Sequence, residues 1–397
     1  MKNEYDIHRT HAVTITGYGS GGEGIARLDD GRVVFVRNAA RGDVLEISLV
    51  KEQTRSARAE IVRILTSSPY RIEPDCPYYP ECGGCDFRHI TYEEELWAKR
   101  RRVDDALARI AGLSTSISEV HSTGQINGYR NKAVLHSDGN SVGFYRSTSH
   151  EVVPVKRCML LNEDLNNAIQ TMKPSLEPSL EPSLEPRLEP SLEPTHKPSL
   201  KPGREITLRS GRNGIGEPLK EELDGLVFRV SGFFQVNTGA TLLLYQKVRE
   251  FADLSKEDVL VDMYCGVGTI TIFAGRDAGY ALGIENNPAA VDVARENARI
   301  NGFSHIEFIA ADAAEWHAEV SNPDCVIVDP PRKGLSPGAI RKILELNPLR
   351  IVYVSCDPAT LSRDLRELKC YTVKDICAID MFPRTSNVEC CCLLVRD

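Results

Sequence analysis

The chain has 397 residues, 42% hydrophobic and 26% charged, a balance that suits a globular protein of two or three domains. No apolar run approaches the roughly 18 residues of a membrane span, and the polar opening MKNEYDIHRT does not read as a signal peptide, so a cytoplasmic location with no membrane association is expected. The net charge of −8 argues against a uniformly basic surface, while leaving room for local basic patches.

Residues 11–65 read as short strands with glycine-rich turns. RVVFVRN (32–38) alternates and is rich in β-branched residues, and GYGSGGEG (17–24) is a mobile turn, so a small β-barrel is expected. Twelve cysteines follow along the chain, and without a secretory signal they point to metal binding or catalysis before disulfides. Cys76, Cys82 and Cys85 have the spacing C-x5-C-x2-C, and Cys158 can supply a fourth thiolate. Four soft ligands suit an iron–sulfur cluster or structural zinc, although the spacing fits the paired C-x2-C knuckles of zinc ribbons poorly.

Residues 91–112 have helical periodicity, with Leu96, Val103, Leu107 and Ile110 on one side and Gly112 as a stop. This helix carries the basic run Lys99-Arg100-Arg101-Arg102. Arg130 and Lys132 add a second, and each run reads as a solvated face or as a phosphate contact. Residues 173–204 form eight proline-containing tetrads, which remove the donors that a helix or central strand needs. An extended or disordered insertion is expected there, a repeat expansion with no assigned role.

From about residue 256 the pattern becomes β/α alternation. VLVDMYC (259–265), YALGIEN (280–286), IEFIAAD (306–312), CVIVDPP (325–331) and RIVYVSC (350–356) are apolar runs of strand length separated by helical stretches. They imply a parallel sheet covered on both faces, with its ligand at the carboxyl ends of the strands. Gly266-x-Gly268 follows the first strand, and Glu285 closes the second 19 residues after Gly266, where a carboxylate can accept from both ribose hydroxyls of a nucleoside cofactor. Position 271 is Thr and not the third glycine of a pyrophosphate loop. Asp312 and Asp329 close the third and fourth strands, and Asp312 can reach an adenine amino group. One such acid alone is more often a helix cap. Acids at successive strand ends favour S-adenosylmethionine over NAD.

Four segments carry a resemblance to a known family: FFQVN (233–237), DPPRKGL (329–335), IVYVSCDPATLSRDL (351–365) and NVECCCLL (387–394). Together they resemble the RNA uracil-5-methyltransferases, and the S-C-x-P-x-T-x-x-R-D run is the most specific of them. The chemistry explains the cysteine. Uracil carbon 5 is a poor nucleophile until a thiolate adds to carbon 6, and a base must then remove the carbon 5 proton. The resemblance implies Cys356 as nucleophile and Glu389 as that base, with Gln235, Tyr264, Glu285 and Asp329 at the cofactor. Cys390, Cys391 and Cys392 read as core residues of a strand.

The first 65 residues, including GEGIARLDDGRVVFVRNAARGD (22–43), resemble the TRAM module, an OB-like RNA-binding barrel, and ECGGC (81–85) with its context resembles the iron–sulfur-bearing branch of the family. That branch implies a [4Fe–4S] cluster on Cys76, Cys82, Cys85 and Cys158. The expected organisation is therefore an α/β, Rossmann-like S-adenosylmethionine-dependent methyltransferase domain (93–112 and 231–397). It is joined by a TRAM barrel (1–68) and a central iron–sulfur and RNA-binding domain (69–92 and 113–230). The expected activity is methylation of carbon 5 of a uridine in 23S ribosomal RNA, with a tRNA T-loop uridine as the alternative and no obligate protein partner. Exocyclic-amine methylation and non-catalytic RNA binding are the rival classes. The family commonly has Asn, His and Asn where this chain has Asp357, Asn387 and Thr269, which bears on the hydrogen bonds around the site.

Overall fold

The computed structural model describes residues 10–117, 119–172, 203–216, 219–230, 232–317 and 320–397. Apart from Gly203 and Arg204, the proline-rich insertion lies outside the described residues, as do residues 1–9 of the expected barrel.

The first six strands are β1 (Thr10–Thr14), β2 (Gly17–Tyr18), β3 (Gly24–Arg27), β4 (Val33–Val36), β5 (Val44–Glu52) and β6 (Ser56–Thr66). They form one sheet in the order β1-β5-β6-β4-β3-β2. Alternation places Val34, Val36, Leu45, Ile47, Ala57 and Ala59 in a core of its own. Arg41 fixes this module to its neighbour: its guanidinium lies 3.9 Å over the Trp97 ring and donates to both oxygens of Glu94, at 2.8 and 2.7 Å.

Helix α1 (Tyr92–Ala106) is capped by Thr91, runs on through a π turn at Leu107–Ala111, and stops at Gly112 with φ 71°. Its buried face differs from the expected apolar one. Val103 and Leu107 are buried, Leu96 and Ile110 are only half-buried, and Glu94, Glu95 and Lys99 are buried with them. The charges go inside because each finds an oppositely charged partner there, which an apolar pattern cannot reveal.

The middle of the chain contains β7 (Val120–His121), β8 (Lys132–Ser137), β9 (Val142–Tyr145), β10 (Val152–Pro154), α2 (Glu163–Thr171), β11 (Glu205–Gly211) and β12 (Gly214–Ile215). Strands β8 to β12 make a five-stranded sheet in the order β10-β9-β8-β11-β12, with Leu135, Leu161, Leu165 and Ile206 in a small core beneath α2. Strands β13 (Leu219–Leu223) and β14 (Leu226–Val230), assigned by sequence to the central segment, form a hairpin whose Leu219, Leu223 and Phe228 join the core of the large sheet.

The remaining elements are α3 (Thr238–Ala252), β15 (Val259–Met263), α4 (Thr269–Gly275), β16 (Tyr280–Glu285), α5 (Pro288–Ile300), β17 (Ile306–Ala310), β18 (Cys325–Val328), α6 (Pro337–Leu346), β19 (Arg350–Ser355), α7 (Pro358–Leu365), β20 (Tyr371–Ile379) and β21 (Glu389–Arg396). The large sheet runs β17-β16-β15-β18-β19-β21-β20-β7. Strands β15 to β19 are parallel as expected, and β21 enters antiparallel between β19 and β20. Side chains alternate between two cores: Leu260 and Ile327 face one side, Val261, Met263 and Val328 the other. Full burial of such side chains contributes about 1.5–3 kcal/mol each, which is why these strands read as unbroken apolar runs.

The chain reverses direction at β15, with β16 on one flank and β18 on the other, so a crevice opens at the carboxyl ends of the strands. Three helices start at that end by the same device. Asn287, Ser336 and Asp357 each cap a helix whose first residue is proline.

Candidate active site

The crevice is built first from the loop Tyr264–Gly268. Tyr264 has a left-handed φ of 74°, a costly conformation for a tyrosine, and Gly266 and Gly268 follow with φ 55° and 81°. Gly268 also packs tightly, since a Cβ there would meet Phe308 at 2.7 Å. The loop is held by its neighbours. Tyr264 N and Cys265 N donate to the Ile284 carbonyl, and Gly266 N donates to Glu285 Oε2 at 3.2 Å. Asn287 N donates to Glu285 Oε1 at 2.9 Å. Glu285 is thus oriented at the end of β16 with acceptor capacity to spare.

Asp262 is buried below this loop. Thr271 Oγ1 donates to its Oδ2 at 2.6 Å, and its Oδ1 has no partner. Burial, opposed by the Thr271 bond and reinforced by the charges of Asp329 and Glu285, pushes its pKa up to about 8. Asp329, just past β18, is pushed up to about 7 by burial. Asp312 stands exposed past β17 and accepts from Ala314 N at 2.7 Å, so it serves locally as a turn cap while its charge bears on Tyr264. Gln235 is buried in the loop between β14 and α3. Thr269 bonds the buried Tyr245 hydroxyl at 2.7 Å. Glu285, Asp312, Asp329 and Tyr264 therefore stand along the carboxyl edge of the parallel strands, which makes that edge rich in acceptors.

Cys356 follows β19 directly. Ser355 closes its turn, donating to the Asp357 carbonyl at 3.1 Å and accepting from Asp357 N at 3.2 Å. Asp357 Oδ1 accepts from Ala359 N and Thr360 N, the same service that an asparagine oxygen would give. The thiol therefore lies beside the N-terminus of α7, where the helix dipole favours a thiolate. The register pairs Val354 with Cys391 and Ser355 with Cys390, which brings Cys356 and Glu389 to the same end of β19 and β21. Burial and the Glu389 charge push the Cys356 thiol up to about 11, against the pull of the Arg332 guanidinium. Burial and Asp329 hold Glu389 well above the usual carboxylate range, and Arg332 again opposes the shift.

Arg332 had no role in the sequence expectations, yet it faces both reactive groups. The R-D end of the sequence motif explains its placement. Asp364 Oδ2 accepts from Leu335 N and from Tyr353 Oη, each at 2.7 Å. Arg363 donates to the Lys333 carbonyl at 2.8 Å. Together they hold the 331–335 loop, and Gly334 is required there because a Cβ would meet Asp364 Oδ2 at 2.4 Å. Phe233, 75% exposed beside buried Phe234 and Gln235, was read only as part of the FFQVN segment and given no role of its own. An exposed aromatic next to a buried polar residue is the signal that would have found it.

Cys390, Cys391 and Cys392 are buried and alternate between the two cores of the large sheet, as the sequence implied for a strand. The basic run 99–102 divides: Arg100 and Arg101 form an exposed face, while Lys99 and Arg102 turn inward. Lys99 is buried against Glu95 and Asp380, Arg100 and Arg101 meet Asp104 and Asp105, and Arg102 reaches Ser386 and Asp357.

Cys76, Cys82 and Cys85, close together in sequence, line one cavity with the distant Cys158 and with Arg88 and Arg130. Asn166 brackets Cys158, accepting from its N at 2.8 Å and donating to its carbonyl at 3.1 Å. Arg88 Nε donates to Cys85 Sγ at 3.3 Å, and the buried Arg130 Nε has no partner. Burial pushes Cys85 up to about 12 and raises Cys82 and Cys158. Among the described residues, no group of three or more His, Cys, Asp or Glu side chains is arranged to hold a metal ion. The cavity thus joins four thiols and two guanidinium groups. Among the described residues, too, no helix is long and apolar enough to cross a membrane.

Fold and site define an α/β methyltransferase. Residues 319–397 match the tRNA (uracil-5-)-methyltransferase family, 8–62 the TRAM domain, and 243–336 the TRM5/TYW2 methyltransferase domain. An uncharacterized RNA methyltransferase of Gloeobacter violaceus is 32% identical, over 98% of this chain and 97% of that protein. One from Caldanaerobacter subterraneus subsp. tengcongensis is 32% identical over 99% and 100%. Among solved structures, the Pyrococcus abyssi tRNA (uracil-54, C5)-methyltransferase in complex with S-adenosyl-L-homocysteine is 25% identical, with a TM-score of 0.74 over 97% of this chain and all of that one. The chain belongs to the RNA methyltransferase family, and within it carries a uracil-5-methyltransferase domain and a TRAM domain.

Proposed function

We propose that this protein methylates carbon 5 of a uridine in RNA, with S-adenosylmethionine as donor, Cys356 as nucleophile and Glu389 as base. The observation that carries the reading is the meeting of Cys356 and Glu389 at one end of β19 and β21, with Arg332 acting on both. The relatives and the domain matches support the same reading.

Bound S-adenosylmethionine supplies a methyl group on a positively charged sulfur. Glu285 would hold its ribose hydroxyls, Asp312 its adenine, and Gln235, Tyr264 and Asp329 the rest of the cleft. Positive charge there favours the ionised forms of Cys356 and Glu389, both of which burial opposes. The Cys356 thiolate adds to carbon 6, and the electrons of the 5,6 double bond move onto the carbonyl oxygen at carbon 4. Carbon 5 then attacks the methyl carbon, whose bond to sulfur breaks with the electron pair going to sulfur. Glu389 takes the proton from carbon 5, the double bond re-forms, and the Cys356 thiolate leaves. A paired uridine must be turned out of its stack to reach the thiol, and Phe233, exposed two residues before Gln235, would offer an aromatic face for it.

For the RNA we assign a uridine of 23S ribosomal RNA, on the combination of a TRAM module with the four-cysteine segment. A tRNA T-loop uridine is the second reading, favoured by the likeness to the archaeal tRNA enzyme. The same proposal puts a [4Fe–4S] cluster in the cavity of Cys76, Cys82, Cys85 and Cys158. Arg88 and the unpartnered Arg130 Nε there suit a group of net negative charge. Its role is structural, since no redox step enters the chemistry.

RNA containing 5-fluorouridine tests the mechanism, because fluorine cannot leave as a proton. Wild-type protein should form a denaturation-resistant complex with it and Cys356→Ala should not; no complex with wild type overturns the reading. Comparing 5-methyluridine in ribosomal RNA and tRNA from cells lacking the gene decides the substrate.

A further inference from the structure

One face of α1 is fastened to the segment that leads into Glu389. Tyr92, Glu95, Lys99 and Arg102 recur at helical spacing on that face. Tyr92 Oη donates to Asp380 Oδ2 at 2.5 Å, and Arg384 N donates to Glu95 Oε1 at 2.7 Å. Lys99 Nζ donates to Asp380 Oδ1 at 2.6 Å and to the Phe382 carbonyl at 3.1 Å. Arg102 Nη1 donates to the Ser386 carbonyl at 2.7 Å. From the other side, Asp86 N donates to the Arg384 carbonyl at 2.9 Å, and Ser386 N donates to Asp86 Oδ2 at 2.8 Å.

Of the four, Arg102 alone is also paired with the nucleophile's turn. Its Nη2 lies 3.8 Å from Asp357 Oδ2, while the other oxygen of Asp357 caps α7. One guanidinium therefore spans a residue adjoining Cys356 and a residue three positions before Glu389. Asp357 is also where the family commonly has an asparagine. The additional negative charge next to a thiolate would disfavour that thiolate, and Arg102 is the cation that meets it.

We propose that Arg102 is a positioning residue for methyl transfer: it sets the Cys356 turn and the approach to Glu389 relative to one another and neutralises Asp357. The Ser386 link is a hydrogen bond and the Asp357 link an ion pair at 3.8 Å, and the spread of a planar guanidinium lets it serve both at once, which a lysine ammonium does less well. The contrasting role is an RNA phosphate contact, the reading a basic run invites, and its signature is different. A phosphate contact lowers affinity for RNA and flattens its salt dependence, whereas a positioning contact lowers turnover.

The inference rests on the proposed roles of Cys356 and Glu389, so methyl transfer and 5-fluorouridine trapping by wild type come first. Failure of both there would remove the catalytic reading itself. Given wild-type activity, Arg102→Gln should lower kcat by about tenfold or more, with KM for RNA and its salt dependence changed less than about twofold. Arg102→Lys should recover part of kcat. Asp357→Asn keeps the Ser386 link and the helix cap, so its kcat should fall less than that of Arg102→Gln. Unchanged kcat in Arg102→Gln, or a raised KM with a flatter salt dependence, overturns the proposal. Should Arg102→Gln not fold, Arg102→Lys decides: wild-type kcat with a raised KM for RNA overturns it, and a lowered kcat with unchanged KM supports it.

Discussion

Lys99 Nζ lies 2.6 Å from Asp380 Oδ1 and 2.7 Å from Glu95 Oε1, and all three side chains are completely buried. Such a group is costly to desolvate, so its net worth is small while intact and large when broken. Lys99→Met strands two carboxylates in the interior and should cost about 3–5 kcal/mol, measured by urea unfolding. Adding Glu95→Gln and Asp380→Asn should recover much of that loss. A single mutant as stable as wild type would contradict the buried triad.

Glu389→Gln separates addition from release. Its amide cannot take the carbon 5 proton, while Cys356 and Arg332 stay in place, so addition and methyl transfer should still proceed. The expected product on unmodified RNA is a covalent complex bearing the transferred methyl group, with turnover lowered by at least about a thousandfold. Mass spectrometry of the complex checks this. Normal turnover would assign the base elsewhere.

Much of this was legible in the sequence, for physical reasons that differ by residue. The parallel strands were readable because burial on both faces demands unbroken apolar runs, and the helix starts because Asn287, Ser336 and Asp357 each precede a proline. Cys356 was readable because its whole turn is local. The antiparallel insertion of β21 was not, since its pairing with β19 passes over β20 and α7, which lie between them in the chain. Lys99 and Arg102 misled because their partners are distant in the chain: a basic run looks solvated until acids from residues 357 and 380 are folded onto it. Arg332 was visible as a residue but not as a neighbour of Cys356, because that closeness depends on Arg363 and Asp364 holding the intervening loop.

Removal of Arg332 tests its work on the thiol. Burial and Glu389 raise Cys356 to about 11, and Arg332 draws it down. Without that guanidinium the thiol ionises at still higher pH, so less thiolate is present near neutrality. Arg332→Met should slow 5-fluorouridine trapping by about tenfold or more at pH 7.5. The deficit should persist, and the rate should climb, as pH rises toward 9. A trapping rate equal to wild type across that range would leave Arg332 without this role.

The four-cysteine cavity makes a compositional prediction. Protein purified without oxygen should hold about four iron and four sulfide per chain, and Cys85→Ser should lose both while lowering thermal stability. Elemental analysis that finds zinc and no iron would sink the cluster assignment. Methyl transfer by the wild type should be equal with the cluster reduced or oxidised, as long as the cluster is intact and Cys356 is kept as a free thiol.

Asp262 makes stability depend on pH in a direction opposite to that of most paired carboxylates. Its pKa is raised in the folded protein to about 8, against roughly 3.9 in an unfolded chain. The folded state therefore binds the proton more tightly. Its contribution is fully present below pH 4 and is lost as pH rises through the folded value near 8. Between pH 6 and 8, about 2 kcal/mol of that contribution should disappear. Asp262→Asn keeps an oxygen to accept from Thr271 but cannot ionise, so urea unfolding of the protein without donor should show a shallower decline over that range. Asp329, raised to about 7 by the same burial, leaves a residual slope in the mutant. An equally steep decline with Asn at position 262 would mean that Asp262 is already ionised in the folded protein, and that its unpartnered Oδ1 is held by another cause.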